Sequence, residues 1–165
     1  VSVIDLTEGE LGTRGTAETR AEEAAEAAKI LGISSRENLK LKDGFLNNSE
    51  DYQLKVVEKI RKYKPEIVLA NAIDDRHPDH AKAAKLVSDI SGFMEQKIEA
   101  CLAYKTQFYN PESKEPVTPI ATKDFLESLT YRAQDLGRLS GVEYAEGFTT
   151  EKLIALKNFD GIICD

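Results

Sequence analysis

The residues best suited to chemistry lie in one hexapeptide, residues 75–80, which reads Asp-Arg-His-Pro-Asp-His. It contains both histidines of the chain, His77 and His80, with Asp79 between them. Imidazole can ligate a metal ion or transfer protons near neutral pH, and a neighbouring carboxylate can fix its tautomer and orientation. Because proline is favoured in the first turn of a helix, Pro78 predicts that these residues lie where a loop enters a helix.

The same hexapeptide also has a plain structural interpretation, in which His77 or Asp79 caps the backbone donors of a helix start. A catalytic zinc takes three protein ligands and leaves one position for water, and this segment can supply at most two of them. The spacing alone therefore leaves metal binding, acid–base catalysis and helix capping open.

Strands and helices alternate around this segment. Residues 1–6 predict a strand, and residues 7–16 form a polar loop whose glycines could approach a ligand closely or simply turn the chain. Residues 17–31 predict a helix with Thr16 as its cap, Gly32 as its end and a narrow alanine face at Ala21, Ala24, Ala25, Ala28 and Leu31.

Further elements follow in the same order. Residues 38–41 predict a short extended segment and Asp43-Gly44 a turn, and a helix from Ser49 to about residue 64 would bury Tyr52, Val56, Ile60 and Tyr63. The apolar run 67–70 is typical of a strand covered on both faces. A helix near Pro78 that includes Val87, and helices over 93–104 and 123–139, complete an α/β pattern with a parallel sheet.

Composition excludes several classes of function. The 165 residues carry a net charge of −7 without a Lys/Arg-rich block, so nucleic acid is not an expected partner. No apolar run approaches the roughly 20 residues of a membrane-spanning helix, and we expect neither a membrane span nor a secretory leader. The two cysteines lack CxxC spacing, which favours reduced thiols in the cytoplasm. A nucleophile elbow and a P-loop are also absent from the sequence.

Four blocks of the sequence, taken together, resemble the PIG-L/LmbE-type zinc-dependent deacetylases. They are residues 5–16, 75–80, 104–109 and 144–148, and they occur in the family's order over nearly the whole chain. Within that family they resemble most the deacetylases of bacillithiol biosynthesis. The resemblance implies a Rossmann-like, three-layer LmbE-like fold with a mostly parallel sheet, and hydrolysis of the acetamide of N-acetylglucosaminyl L-malate.

The resemblance also implies roles for five residues. His80 matches a ligand of one Zn²⁺ per subunit, and His77 matches the histidine that stabilises the oxyanion or protonates the leaving amine. Asp79 matches the acid that orients that histidine. Arg20 and Asp43 match substrate-contacting residues, and the planar fork of a guanidinium suits the carboxylates of malate.

The sequence departs from the family pattern in two places. An Ala-His-Pro-Asp-Asp type motif, which carries the remaining zinc ligands and the general base in the family, has no match here, and a middle segment near residues 88–91 is shorter. We expect one deacetylase domain over residues 1–165 that lacks an N-terminal βα unit and this middle segment, either because pieces of a longer protein are omitted or because the chain is truncated.

Three functions remain open at this point. The first is deacetylation of this small-molecule amino-sugar conjugate by a homo-oligomeric, cytoplasmic enzyme. The second is deacetylation of another N-acetylglucosamine conjugate, and the third is a non-catalytic binding protein on the same fold.

Overall fold

A computed structural model describes residues 1–70 and 86–149 of the chain. The described residues fall into two units, the first made of Val1–Leu69 and Glu95–Leu126, and the second of the described parts of Ala70–Met94 and Glu127–Asp165. Each unit contains one two-stranded sheet, parallel in the first and antiparallel in the second. The α/β class predicted from the sequence is confirmed.

The parallel sheet of the first unit is built by one βαβ crossover. Strand β1 (Ser2–Asp5) pairs with β2 (Ser35–Asn38), with Ser2 opposite Ser35 and Asp5 opposite Asn38. Parallel strands need a long connection, and helix α1 (Ala17–Ile30) supplies it here. The carboxyl ends of β1 and β2 therefore meet at one edge, where the polar loop of residues 7–16 begins.

Helix α1 confirms the predicted caps and corrects the predicted face. The Thr16 hydroxyl accepts a hydrogen bond from the Thr19 N–H at 3.2 Å, and Gly32 follows the helix in the left-handed conformation with φ of +63°. The buried residues of α1 are Glu23 and Ala27, however, whereas the predicted alanine face is half-buried or exposed. Three residues of that face, Ala21, Ala24 and Ala25, line a cavity instead of a packed core.

The second strand lies three residues earlier than predicted. It ends at Asn38 because Lys40 adopts a left-handed conformation with φ of +52°, stabilised by a hydrogen bond from its N–H to the Asn38 side chain at 2.7 Å. Leu39 and Leu41 are still buried, and their N–H groups bond to the backbone of Asp5 and Leu6. Hydrogen bonding to the backbone of Asp5 and Leu6 thus continues past Asn38, but residues 39–41 do not have regular strand geometry.

Helix α2 (Glu50–Tyr63) has the predicted bounds but not the predicted burial. It begins after Ser49 and ends at Lys64, which is left-handed with φ of +46°. None of its residues is buried, and Val56 and Ile60 are 37% and 45% exposed. The stripe predicted at Tyr52, Val56, Ile60 and Tyr63 is therefore wrong as a core, because helical periodicity specifies a shared face and not an element that covers it.

The strand predicted at residues 67–70 is also wrong. The strand pairings among the described residues are β1 with β2 and β3 with β4, and this run joins neither. Ile67, Val68 and Leu69 are 79%, 64% and 73% exposed. An apolar run becomes a covered strand only where a neighbouring strand and flanking helices accept it.

The rest of the first unit contains helix α3 (Met94–Leu102), which starts in the second unit, and the first residues of helix α4 (Lys123–Ser140). Both helices agree with the sequence prediction. Short 3₁₀ turns precede them at Ser91–Phe93 and Pro119–Ala121. The buried apolar side chains of this unit are small or aliphatic: Ala27, Leu39, Leu41, Ala100 and Ala121.

The second unit pairs strand β3 (Leu86–Asp89) with β4 (Ala145–Phe148). Val87 lies in β3, so its predicted place in a helix is wrong. Ser91 closes the end of this strand pair, because its hydroxyl donates to the Asp89 carboxylate at 2.6 Å and accepts from the Tyr144 N–H at 3.1 Å. The bonds from Ser91 to Asp89 lower the pKa of Asp89. Among the described residues, no helix is long and apolar enough to span a bilayer.

Candidate functional site

The three residues of the histidine hexapeptide that were predicted to do chemistry, His77, Asp79 and His80, lie outside the described residues. Within residues 1–70 and 86–149, no group of three His, Cys, Asp or Glu side chains is close enough to hold a metal ion. The described donors therefore do not form a zinc site by themselves. The two predicted substrate residues, Arg20 and Asp43, are both described.

Arg20 lines a cavity of about 400 Å³ in the first unit. The cavity lies at the edge where β1 and β2 end, and α1 and the segment around Tyr104 form its other walls. Its lining residues are Asp5, Thr7, Glu8, Gly9, Ala17, Arg20, Ala21, Ala24, Ala25, Arg36, Glu37, Asn38, Tyr104 and Gln107. Ligands of open α/β folds bind at the carboxyl ends of strands, so this cavity is a candidate substrate site.

The guanidinium of Arg20 is held by uncharged acceptors. Its Nε and Nη2 donate to the backbone carbonyl of Arg14 at 3.2 and 3.1 Å, and Nη2 also donates to the side-chain oxygen of Gln107 at 2.8 Å. Among the described residues, Nη1 has no hydrogen-bond acceptor. Arg20 thus keeps its positive charge unpaired within the described part of the chain.

Two glycines of the polar loop let the backbone approach this guanidinium. A Cβ atom at Gly9 would lie 2.1 Å from Nη1 of Arg20, and a Cβ atom at Gly12 would lie 2.0 Å from Nη2. Any larger residue would displace the arginine head group. The loop glycines therefore serve a close approach to Arg20 as well as the turn of the chain.

Gln107 uses both ends of its side-chain amide at this site. Its oxygen accepts from Arg20, and its nitrogen donates to the Arg14 carbonyl at 3.0 Å and to the Thr106 hydroxyl at 2.8 Å. The Thr106 N–H and hydroxyl in turn donate to the buried Glu23 carboxylate at 2.7 and 2.9 Å. The 104–107 segment is thereby tied to both the loop and α1.

Arg14 anchors the loop from the other side. Its side chain is 4% exposed and donates from Nη2 to the Ser113 hydroxyl at 2.6 Å, while its Nε has no acceptor within the described residues. The contact joins residues 99 positions apart. This anchoring fixes the Arg14 carbonyl that receives Arg20.

Asp43 lies beside the same loop but is engaged by the protein. Its carboxylate accepts from the Thr7 hydroxyl at 3.3 Å, from the Leu11 N–H at 3.1 Å and from the Gly44 N–H at 3.1 Å. Its own N–H donates to the Glu10 carboxylate at 2.8 Å. In this conformation Asp43 holds the loop in shape and is not among the residues that line the cavity.

A second arginine, Arg36, also faces the cavity, but its charge is compensated. It forms a bidentate pair with Asp5, with N–O distances of 2.6 and 2.9 Å, and its Nη1 donates to the Ala24 carbonyl at 3.0 Å. The bond to Asp5, assisted by Tyr104, raises the pKa of Arg36, while partial burial opposes the rise. This pair joins β1, β2 and α1.

Glu37 is a further charged residue of the cavity lining whose partners lie on α2. Lys62 and Tyr63 donate to one carboxylate oxygen, and Lys59 contacts the other at 2.9 Å. Bonds from Lys62, Tyr63 and Lys59 lower the pKa of Glu37 to about 2. Glu37 therefore carries its charge at neutral pH and is neutralised by the two lysines.

Comparison with known families gives a direct match to this part of the chain. A sequence model of the PIG-L family, described as GlcNAc-PI de-N-acetylase, matches residues 1–91. The chain belongs to the PIG-L family. Membership identifies it as an amide-hydrolysing deacetylase, and the match includes Arg20, Asp43 and the histidine hexapeptide.

Solved structures show that this PIG-L chain shares its fold with known proteins. The conserved protein TT1542 from Thermus thermophilus superposes with a TM-score of 0.78 at 28% identity, covering 94% of this chain and 84% of that one. The N,N'-diacetylchitobiose deacetylase from Pyrococcus horikoshii gives 0.70 at 22% identity, covering 90% and 72%. The similarity to the Pyrococcus horikoshii enzyme shows a shared fold and nothing further.

Sequence reasoning missed two parts of the PIG-L site. Gln107 lies within the block 104–109 that carried the resemblance, but nothing in its local pattern predicts a bond to a residue 87 positions away. The Arg14 carbonyl is a backbone group and has no sequence signal. The glycines of the loop are evident in the sequence, but their close approach to Arg20 depends on tertiary structure.

Proposed function

We propose that this chain removes the N-acetyl group from N-acetylglucosaminyl L-malate in bacillithiol biosynthesis. The observation that carries the proposal is the PIG-L match over residues 1–91, which contains both histidines and most of the cavity lining. The reaction cleaves the amide C–N bond with water and yields acetate and the free amine.

The malate part of the substrate is argued from Arg20. A guanidinium held by neutral acceptors retains a full charge for a ligand, and its donors match the geometry of a carboxylate. The cavity volume of about 400 Å³ is within the usual range for small-molecule sites. The related substrate class, another N-acetylglucosamine conjugate, would lack this pairing if its aglycone were uncharged.

The hydrolytic step is assigned to the hexapeptide 75–80. We propose that His77 donates a hydrogen bond to the developing oxyanion or a proton to the leaving amine, and that Asp79 fixes the tautomer of His77. His80 is proposed as a zinc ligand. The described residues add no ligand cluster for this zinc, so its place in the proposal rests on His80 and on the family resemblance.

The proposal also covers the location, oligomeric state and partners of the enzyme. We propose a cytoplasmic homo-oligomer that acts on a small amino-sugar conjugate and uses no nucleic acid or membrane partner. The net charge of −7 supports the absence of a nucleic-acid partner. Sedimentation of the purified protein would test the oligomeric state.

The decisive experiment measures zinc content and acetate release on the same purified sample. We expect near-stoichiometric zinc, acetate release from N-acetylglucosaminyl L-malate, and slower release from N-acetylglucosamine, which lacks the carboxylates. Loss of release on chelation and its return with added zinc would support the zinc assignment. Equal turnover of both substrates would overturn malate as the aglycone, and no release from either would overturn the hydrolase and leave a binding protein.

Two histidine variants divide the proposed roles. We expect His77→Ala to lower turnover by about 10²- to 10⁴-fold with zinc retained, because general acid–base groups typically contribute that much. His80→Ala should lower both turnover and zinc content. Equal zinc loss in the two variants would contradict the assignment of His77 to proton transfer.

A further inference from the structure

We propose that Gln107 is a positioning residue, which holds the Arg20 guanidinium in place so that Nη1, which has no acceptor within residues 1–70 and 86–149, can meet a carboxylate of the substrate. The inference rests on the proposed function for the identity of that ligand. The hold of Gln107 on Arg20 is itself a property of the described structure.

Gln107 and Arg14 share the arginine head group. The Arg14 carbonyl receives Nε and Nη2, and Gln107 receives the second hydrogen of Nη2. Gln107 also donates to that same carbonyl at 3.0 Å, so all three groups form one closed set of hydrogen bonds. Rotation of the guanidinium would break bonds at both acceptors.

Both acceptors of the Arg20 guanidinium are uncharged. An amide oxygen and a peptide carbonyl orient a guanidinium without neutralising it, whereas a carboxylate at the same place would form an ion pair. A glutamine is therefore suited to hold a ligand-binding arginine. A glutamate would hold it as well and compete with the ligand for its charge.

The side-chain amide of Gln107 is itself held by hydrogen bonds. The Gln107 nitrogen donates to the Thr106 hydroxyl at 2.8 Å, and Thr106 is fixed by the buried Glu23. The amide orientation is thus set by a chain of bonds that leads into α1. A side chain held in this way loses little further freedom when a ligand binds.

The experiment compares Gln107→Leu with Gln96→Leu. Gln96 is a matched control because its side-chain nitrogen also donates to a backbone carbonyl, that of Ile30 at 2.5 Å, away from Arg20. Nitrogen-15 NMR of the arginine side chains reports rotation of the Arg20 guanidinium. We expect slow rotation in the wild type and in Gln96→Leu, and fast rotation in Gln107→Leu.

Kinetics supply the readout that a merely structural role would not move. We expect Gln107→Leu to raise KM for N-acetylglucosaminyl L-malate about tenfold, the loss of roughly one oriented charged hydrogen bond, with kcat nearly unchanged. KM for N-acetylglucosamine should stay constant. Gln107→Glu should raise KM for the malate conjugate at least as much, although its carboxylate still holds Arg20.

A double variant makes the inference decisive. Since Gln107 acts through Arg20, adding Gln107→Leu to Arg20→Ala should raise KM no further. A further rise on that background, or unchanged guanidinium rotation in Gln107→Leu, would overturn the inference. If the wild type releases acetate from neither substrate, the proposed function fails, and the NMR comparison still decides whether Gln107 holds Arg20.

Discussion

Two arginines line the same cavity, but their hydrogen-bond partners differ in charge. Arg36 meets the carboxylate of Asp5 through two short bonds, whereas Arg20 meets the carbonyl of Arg14 and the amide of Gln107. Both head groups are fixed, so the difference lies in the charge of the partner. Arg36 joins β1, β2 and α1, whereas Arg20, whose partners among the described residues are all uncharged, retains a charge that a ligand can use.

Hydrogen-bond geometry alone does not distinguish a ligand-binding arginine from a structural one. Both guanidinium groups have well-placed acceptors and both lie on the cavity wall. They differ in the net charge of the arginine together with its partners. A bidentate carboxylate partner neutralises the guanidinium and leaves little attraction for a second anion. The following variants test this separation in order of expected effect.

Arg20→Ala should have the largest effect on function. Loss of a charged hydrogen-bonding partner costs roughly 1.5–3 kcal/mol of binding, which corresponds to a rise in KM of about 10- to 150-fold for the malate conjugate. Steady-state kinetics with the conjugate and with N-acetylglucosamine measure the effect, and only the conjugate should respond. Arg61→Ala, an exposed arginine on α2, is the control. An equal rise with both substrates would contradict an arginine that recognises a carboxylate.

Asp5→Asn should lower stability and leave recognition intact. Asp5 and Arg36 are 30% and 22% exposed, so breaking their pair should cost about 1–2 kcal/mol in the free energy of unfolding, measured with urea. KM for the conjugate should not rise, because Arg20, the proposed ligand residue, keeps its own partners. Asp135→Asn, which breaks an exposed pair with Arg138, should cost less than about 0.5 kcal/mol. A large KM increase in Asp5→Asn would contradict the assignment of Arg36 to structure and of Arg20 to ligand binding.

The elements around these arginines differ in how far the sequence predicts them. The bounds of α1, α2 and α4 follow from local signals such as Thr16, Gly32 and Ser49, and the structure agrees within one or two residues. Burial does not follow from the same signals. The apolar run 67–70 has the composition of a central strand, but its side chains are exposed because no described strand pairs with it.

The candidate site, too, can be predicted only in part from the sequence. Arg20 can be singled out from the sequence because it occupies a matching position in a family pattern. Its partners cannot, since Gln107 is 87 residues away and the Arg14 contact is made by a carbonyl. The partner's charge, which decides the role of each arginine, is thus a property of tertiary structure.

Gly12→Ala tests the placement of Arg20 without touching its charge. The added Cβ atom would lie 2.0 Å from Nη2, at the movable end of a long side chain, so the head group should shift while the fold persists. We expect KM for the conjugate to rise about threefold to tenfold, less than one charged bond is worth. Gly92→Ala is the matched control, because its Cβ would meet nothing within 4 Å. Unchanged KM in Gly12→Ala would argue that the position of Arg20 is unimportant.

Glu37 is an acidic residue of the same cavity, and its substitution should have the smallest effect on function. It lines the cavity, yet Lys59 and Lys62 neutralise it as Asp5 neutralises Arg36. We therefore expect Glu37→Gln to leave KM for the conjugate unchanged at neutral pH. The contribution of Glu37 should appear in the stability of the first unit and in how that stability changes in acid.

The sign of that contribution follows from the pKa of Glu37, which is lowered from 4.5 to about 2 in the folded chain. Its stabilisation is full above about pH 4.5 and is lost as the pH falls toward about 2, where the folded carboxylate takes up its proton. Urea unfolding of Glu37→Gln between these values should depend less on pH than unfolding of the wild type. Glu26→Gln, at an exposed pair with Lys29, is the control. Parallel pH profiles for Glu37→Gln and the wild type would show that the lysines do not hold Glu37, and its charge would then be available to repel an anionic substrate.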